Sequence, residues 1–558
     1  MAATTIPTPL PRLEAVISCG RDGVMGIDGR LAWRDPRDMR RFAELTRGHV
    51  VIMGRKTWDS LPVSPLPGRK NVVVTSRVPD IAECTTSLSA PDVHFCSLED
   101  LGAVLHGIAG AGESPTLFVI GGAQLLTVLL PHISTIHLTH IDATLEPSPT
   151  PTPSPSPTTP VASSPSPPAA PPSITRLQHL EGFAIRNVQP VTREFSFVTL
   201  QRVASPSPSP YHGLLRDDPC PFRDDPYHGL LREVLECGRP RGDRTGTGTL
   251  SLFGRQLRFD LRDGAVPAVT TKRLAWKSCL RELLWFLRGS TDSAELEKRG
   301  VGIWRGNSSR RFLDARGLGD MPEGDIGAGY GFQWRHFGAE YGTCRDAYEG
   351  CGEDQIEQLV RGIREDPFSR RHVVSAWNPA ALHRMALPPC HVLFQFYVHE
   401  EEEAGESVAG DSEVEKLGTR RLMEAPRYSR PRVGAQRRGA QGPRAQRRGL
   451  SCHMYQRSVD CFLGLPFNIF SYAMLTHLIA ARTGTEPHEL VISTGDTHVY
   501  SNHVAQVREQ LSRRPFPSPK IWLDPRLATM DWSEMDVNEH FRLYGYMHHP
   551  ALGGAMAV

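Results

Sequence analysis

The sequence predicts two domains, the first an α/β domain with a mostly parallel sheet and the second a larger one. Three observations carry this. A chain of 558 residues exceeds what one ordinary core accommodates. Short apolar runs alternate with helical patterns through the N-terminal part, as strands and crossover helices do. A Ser-Pro-rich stretch with a local duplication, residues 204–225, then separates that pattern from everything that follows. The expected first domain is 11–203, the linker 204–225 and the second domain 226–558.

Residues 13–18, 49–53, 71–75, 116–120 and 135–141 are short apolar runs bounded by turn residues and read as buried strands. Residues 38–46 read as a helix between the first two. Residues 147–173 are almost entirely Pro, Ser, Thr and Ala and cannot bury enough apolar surface to offset their ordering entropy. Strand patterns return at 183–189 and 194–202 and read as the closing hairpin of the first domain, so the Pro/Ser tract is an insertion within it. In the linker, Pro210-Tyr211-His212-Gly213-Leu214-Leu215-Arg216 recurs as residues 226–232, and only the second copy runs on into a helix. Residues 400–449 open on Glu400-Glu401-Glu402-Glu403 and turn Arg-rich, a disordered excursion between two strands that otherwise form a hairpin.

The formal net charge of +2 argues for no class of partner. No apolar run reads as long enough to cross a bilayer, and residues 1–11 hold no apolar signal core. Eleven scattered cysteines without a CxxC pair fit a reducing compartment, so a cytoplasmic location is expected. Basic runs mostly stay solvated, and no nucleic-acid partner, membrane or metal site is expected.

Trp33-Arg34-Asp35-Pro36-Arg37-Asp38-Met39-Arg40-Arg41-Phe42 sets Asp38 at a helix start with Met39 and Phe42 on an apolar face. A carboxylate there can pair with a protonatable heterocycle or cap the helix, and spacing alone leaves both open. Met53-Gly54-Arg55-Lys56-Thr57-Trp58 follows a strand and opens a helix, which suits phosphate or a plain surface helix equally. Gly121-Gly122 permits close backbone approach. Together these segments resemble dihydrofolate reductases. The resemblance implies that Asp38, Met39, Phe42, Arg69 and Thr139 bind folate. Asp38 would hold the pterin and assist its protonation, braced by Thr139. It also implies NADPH binding by Val16, Gly54, Arg55, Lys56, Thr57, Ser76, Arg77, Gly121 and Gly122. The chain departs from that family at Leu126, where a tyrosine is usual, and the Pro/Ser tract takes the place of a usual strand segment.

In the second domain, Leu387-Pro388-Pro389-Cys390-His391-Val392 sets a cysteine between a double proline and a strand, with Arg370-Arg371 before it and Tyr455-Gln456-Arg457-Ser458 after it. Arginines favour both a thiolate and an anionic ligand. Glu282 falls inside an apolar helical pattern, where a carboxylate is costly unless functional or paired. With Asp243-Arg244-Thr245-Gly246-Thr247-Gly248-Thr249 and Gly464-Leu465-Pro466-Phe467-Asn468, these resemble thymidylate synthases. The resemblance implies an α+β fold that dimerises through its sheet. It implies Cys390 as nucleophile, with Glu282, Asn468, Tyr330 and His391 as catalytic partners. It implies dUMP binding by Arg244, Arg457, Ser458, Asp460, Asn468, His498 and Tyr500, with Arg370 and Arg371 reaching over from the second subunit. Trp304, Asp460 and residues 556–558 fall on the folate side. The cosubstrate implied is 5,10-methylenetetrahydrofolate, with NADPH for the reductase half. The alternative reading is a synthase that carries an inactive reductase-like scaffold.

Overall fold

The computed structural model describes residues 10–27, 30–76, 92–109, 115–143, 174–177, 180, 183–192, 195–202, 225–243, 246–400 and 448–555. Arg77, Arg244, residues 556–558, the expected insertion 147–173, linker residues 204–224 and residues 401–447 of the second insertion lie outside these.

The first domain is an eight-stranded sheet built from β1 (Leu13–Gly20), β4 (Val50–Gly54), β5 (Lys70–Val74), β6 (Val93–Cys96), β7 (Leu117–Gly121), β8 (Ile133–Ile141), β10 (Phe183–Pro190) and β11 (Phe195–Arg202). Its order is β10-β11-β8-β1-β7-β4-β5-β6. Every pairing from β8 to β6 is parallel, while β8, β11 and β10 are joined by antiparallel ladders. The expected strands and closing hairpin are therefore present. A small side sheet of β2 (Val24–Ile27), β3 (Arg30–Leu31) and β9 (Ile174–Arg176) lies beside it. β9 follows the Pro/Ser tract and pairs with β2, a strand the sequence reading did not find. The helices are α1 (Pro36–Thr46), α2 (Arg55–Ser60), α3 (Leu101–Ala109) and α4 (Ala123–Leu129). Asp35, not Asp38, caps α1: its carboxylate accepts from the Arg37 amide at 2.8 Å, with Pro36 at the first helical position.

The second domain holds a six-stranded mixed sheet of β12 (Arg239–Arg241), β13 (Thr249–Asp260), β14 (Val373–Ser375), β15 (His391–Glu400), β16 (Arg448–Asp460) and β17 (Glu486–Tyr500), in the order β12-β13-β17-β16-β15-β14. β16 and β17 run parallel and the other pairs antiparallel. Around it lie α5 (Pro226–Cys237), α6 (Trp276–Leu287), α7 (Ser293–Lys298), α8 (Arg310–Ala315), α9 (Tyr330–Arg335), α10 (Gln355–Glu365), α11 (Gly464–Thr483), α12 (Val504–Ser512) and α13 (Val537–His540), with a hairpin of β18 (Lys520–Leu523) and β19 (Phe541–Tyr544). The second copy of the duplicated heptapeptide opens α5. α11 is apolar on all sides and is long and apolar enough to cross a bilayer, which the sequence reading had not allowed. It is a core helix instead, packed on β16, β17 and α6 and stopped by Gly484 in the left-handed region (φ 71°). The β15–β16 ladder closes as far as Glu400 opposite Arg448.

The cores are not independent. Met547 follows β19 yet is fully buried in the first domain's core, with its sulfur 3.8 Å from Cys19 Sγ. The His548 amide donates to Arg21 O at 2.9 Å, and Phe516 packs on the same cluster. The adjacent Tyr546 faces the other way, accepting from the Leu274 amide at 2.8 Å and donating to Val269 O at 2.9 Å. Met547→Ala should destabilise the first domain by ~2–4 kcal/mol through lost burial and a residual cavity. Urea unfolding of the full chain, followed by protease susceptibility of the N-terminal domain, checks this, and an unchanged midpoint would refute the seam.

Candidate functional site

In the first domain, α1 lies against β8 and β11 on one face of the sheet. Asp38 sits in the first turn of α1, and Thr139 Oγ1 donates to its Oδ1 at 2.6 Å. Burial pushes the Asp38 carboxyl up, while the Thr139 hydrogen bond and the Arg41 charge pull it back. Met39 is 44% exposed and Phe42 half-buried. At the far end of α1, buried Arg69 donates from Nε to Thr46 Oγ1 at 2.8 Å, its guanidinium 5.4 Å from the Phe42 ring centre. Asp38 and Thr46 are eight residues apart, about 12 Å of helix. The helix thus carries a carboxylate at one end and a guanidinium at the other, with Met39 and Phe42 between.

At the end of β4, Gly54 caps α2 with no side-chain hydrogen bond, so the amides of Arg55, Lys56 and Thr57 open that helix. Arg55 is held by Asp59 at 2.9 Å. Gly121 has φ +142°, and a Cβ there would lie 3.1 Å from Thr57 Oγ1, so glycine is what lets the end of β7 approach α2. Val16 is buried in β1 and Ser76 follows β5. Leu126 is buried in the core cluster.

In the second domain, Cys390 immediately precedes β15. Its amide donates to Tyr330 Oη at 2.6 Å. Arg457 on β16 clamps this corner: its amide donates to Cys390 O, its Nε to Pro389 O and its Nη2 to Pro388 O, each at 2.9 Å. The same Nη2 lies 3.8 Å from Cys390 Sγ. Burial pushes the Cys390 thiol up and Arg457 pulls it down. Arg370 and Arg371 stand exposed beside edge strand β14. Among the described residues Arg457 is the charged group that acts on the thiol, and desolvation outweighs it.

Glu282 projects from α6 and accepts from Trp304 Nε1 at 2.8 Å. Burial raises its carboxyl to about 7, with the Trp304 hydrogen bond opposing. Tyr330 is pushed upward by burial and feels both Cys390 and Glu282, so the three groups converge. Asn468, in the second turn of α11, donates from Nδ2 to His391 Nε2 at 2.7 Å and accepts from Gln456 Nε2 at 2.9 Å. Burial lowers His391 to about 4, so the ring is neutral and Nε2 acts as acceptor. His498 Nδ1 lies 3.2 Å from Asp496 Oδ1, and Tyr500 packs edge-on against the His498 ring. Ser458 pairs with Asp496 across the β16–β17 ladder. Asp460 Oδ1 accepts from the Phe462 amide at 2.8 Å and the Leu463 amide at 3.2 Å, which fixes the turn into α11.

A thymidylate synthase family model matches residues 225–558, and a dihydrofolate reductase family model matches residues 12–156. Among curated relatives, the bifunctional dihydrofolate reductase-thymidylate synthase of Glycine max is 35% identical, covering 99% of this chain and 97% of its own. That of Zea mays is 36% identical over 99% of this chain and 98% of its own, and that of Leishmania major 34% over 100% and 98%. The chain belongs to the bifunctional dihydrofolate reductase–thymidylate synthase family.

In this reductase–synthase, the sequence reading overlooked two residues at the synthase corner. Gln456 fixes the amide orientation of Asn468, and its signal was a polar side chain on the inward-facing parity of β16. Lys272 is buried, donates to Phe462 O, and holds its ammonium 3.7 Å over the Phe462 ring. Burial lowers it to about 8 against the pull of Asp460. Its signal was a lysine inside the apolar-flanked Thr270-Thr271-Lys272-Arg273.

Glu282 generates a pH prediction. Its folded pKa of about 7 exceeds its ordinary value of 4.5, so the native state binds the extra proton between these limits. Stability therefore falls as pH rises through that window. Glu282→Gln should leave stability unchanged below the window and raise it above by on the order of 2 kcal/mol. Thermal melts at acidic and alkaline pH check this, and equal effects at both would show that Glu282 is not desolvated.

Proposed function

We propose that the C-terminal site converts dUMP to dTMP with 5,10-methylenetetrahydrofolate, and that the N-terminal site reduces the released dihydrofolate to tetrahydrofolate with NADPH. The reductase half is taken as residues 11–203 and the synthase half as 226–558, joined by 204–225, with insertions at 147–173 and, between the paired ends of β15 and β16, 401–447 rather than the expected 400–449. The observation that carries the reading is the convergence of Cys390, Tyr330, Glu282 and the His391–Asn468 pair in one corner.

Cys390 is the nucleophile toward C6 of dUMP. As its sulfur bonds to C6, the ring electron pair moves toward O4, where hydrogen-bond donors stabilise the enolate. Asn468, with its orientation fixed by Gln456 and neutral His391, reads the uracil amide edge. Glu282, raised to about 7, is poised to give and take protons near neutral pH. Arg457 has one guanidinium edge on the proline carbonyls and sits against the thiol, which suits a phosphate ligand beside the nucleophile. Arg244, Ser458 and Asp460 complete the nucleotide site, with His498 and Tyr500 at the ribose and Trp304 and Asp460 on the folate side.

Arg370 and Arg371 are proposed to come from a second copy. One face of the sheet is buried under α11. The other leaves Val373 43%, Tyr455 39% and Tyr397 66% exposed, an apolar surface suited to a self-complementary contact.

In the reductase half, Asp38 holds the pterin and assists its protonation, Met39 and Phe42 flank it, and Arg69 takes the folate carboxylate. Gly54, Arg55, Lys56, Thr57, Ser76, Arg77, Gly121, Gly122 and Val16 would hold NADPH, which when bound supplies the hydride. The cradle that only glycine permits between Gly121 and Thr57 fits a bound cofactor. The described cysteines are free thiols, which supports a reducing, cytoplasmic setting.

Cys390→Ser should lower dUMP methylation by more than about a thousandfold while dihydrofolate-dependent NADPH oxidation persists. Equal loss of both activities would point to misfolding or to one shared site. Arg371→Ala and Cys390→Ser chains, each inactive as synthases, should regain about a quarter of wild-type activity when mixed, since half the dimers are then mixed and each holds one intact site. No recovery after verified subunit exchange would place Arg371 outside the site.

A further inference from the structure

Asp38 has two charged neighbours that act on it, Asp35 and Arg41. Asp35 is already matched by Arg37, with Nε to Oδ1 at 3.0 Å and Nη2 to Oδ2 at 2.8 Å. Arg37 in turn lies over the Phe195 ring at 4.8 Å. Arg41 is one helical turn beyond Asp38 on the same side of α1. Among the described residues it has no carboxylate within ion-pair distance, and its guanidinium lies 4.3 Å over the Phe197 ring. Phe197 is the residue directly opposite Thr139 in the β8–β11 ladder, and Thr139 is the donor to Asp38. The stack therefore pins a half-buried cation beside the Asp38–Thr139 pair. Among the described residues, the strand positions flanking Thr139 are uncharged: Ser18 of β1 and Phe197 of β11 lie directly opposite it. Further along the same sheet face, His137 of β8 is engaged by Glu14 at 2.8 Å.

We infer that Arg41, held by Phe197, is a positioning residue that sets the pH range over which Asp38 can take up and release a proton. The inference rests on the reductase reading and adds to it a residue outside the set proposed above to bind folate or NADPH. The physical sense is definite. Burial favours the neutral carboxyl, and a nearby cation favours the carboxylate. The same burial lowers Arg41 itself to about 10, so it remains charged at neutral pH. Removing the cation lets Asp38 stay protonated to higher pH, and a reduction that needs that proton then fades at higher pH.

The test is the pH profile of dihydrofolate-dependent NADPH oxidation in single turnover by the full chain. In Arg41→Met the alkaline midpoint should rise by ~0.5–1 unit, as expected for loss of one partly screened charge. Arg41→Lys should hold the wild-type midpoint or move it less. Phe197→Leu keeps the charge but frees it, and should give a smaller rise in the same direction. A uniformly lower rate in Arg41→Met with the wild-type midpoint would overturn the inference and leave a packing role. If Arg41→Met does not fold, an unmoved midpoint in Phe197→Leu overturns it equally. Wild-type protein that oxidises no NADPH with dihydrofolate would instead overturn the reductase reading itself.

Discussion

Both domains of this reductase–synthase turn on one constraint, a partly buried carboxylate served by a neutral hydrogen-bond donor. In the first, Thr139 Oγ1 serves Asp38; in the second, Trp304 Nε1 serves Glu282. A full ion pair would hold either carboxylate ionised, and full exposure would return it to its ordinary range. Burial raises both carboxyls, and the neutral donor opposes that rise without reversing it. The surrounding architecture serves this arrangement. α1 must lie on β8 at the height of Thr139, and α6 must pack so that Trp304 reaches over Glu282. Burying a poorly compensated carboxylate costs free energy, and the extensive apolar clusters around each site offset it.

The synthase corner solves a related problem for a loop. Cys390 sits where a double proline meets a strand, a place with fixed backbone angles and few amide donors. Arg457 answers with its guanidinium, binding the two proline carbonyls, and with its amide on Cys390 O. Cys390 is thus held from both sides, with Tyr330 taking its own amide. The β15–β16 ladder runs on to Glu400 opposite Arg448, ten residues along β15 from Cys390 and roughly 30 Å away.

The seam between the domains changes what the first domain is. Its core includes Met547, supplied by the far end of the chain, and its strand β1 is joined to the same segment through Arg21 and His548. Tyr546 and Met547, adjacent in sequence, point into different cores. The reductase fold therefore completes its packing only in the presence of the synthase fold.

The sequence alone determined much of this. Alternating apolar runs marked β1, β4, β5, β7 and β8, because a strand buried on both faces leaves a run too short for a helix. The segments around Asp38, Arg69, Glu282, Cys390 and Asn468 carried enough residue identity to name their families. What the tertiary structure decided were relations across chain distance. Asp35 took the cap and released Asp38, a choice that local spacing left open because either carboxylate could accept from the helix amides. β9 was illegible, since three residues after a low-complexity tract form a strand only because β2 is waiting for them. Arg457 as the clamp on the proline corner, Gln456 as the guide of Asn468 and Met547 as part of a distant core were hidden for the same reason. Each depends on which side chain faces which neighbour after folding, and burial and hydrogen-bond geometry are properties of that arrangement rather than of any stretch of sequence.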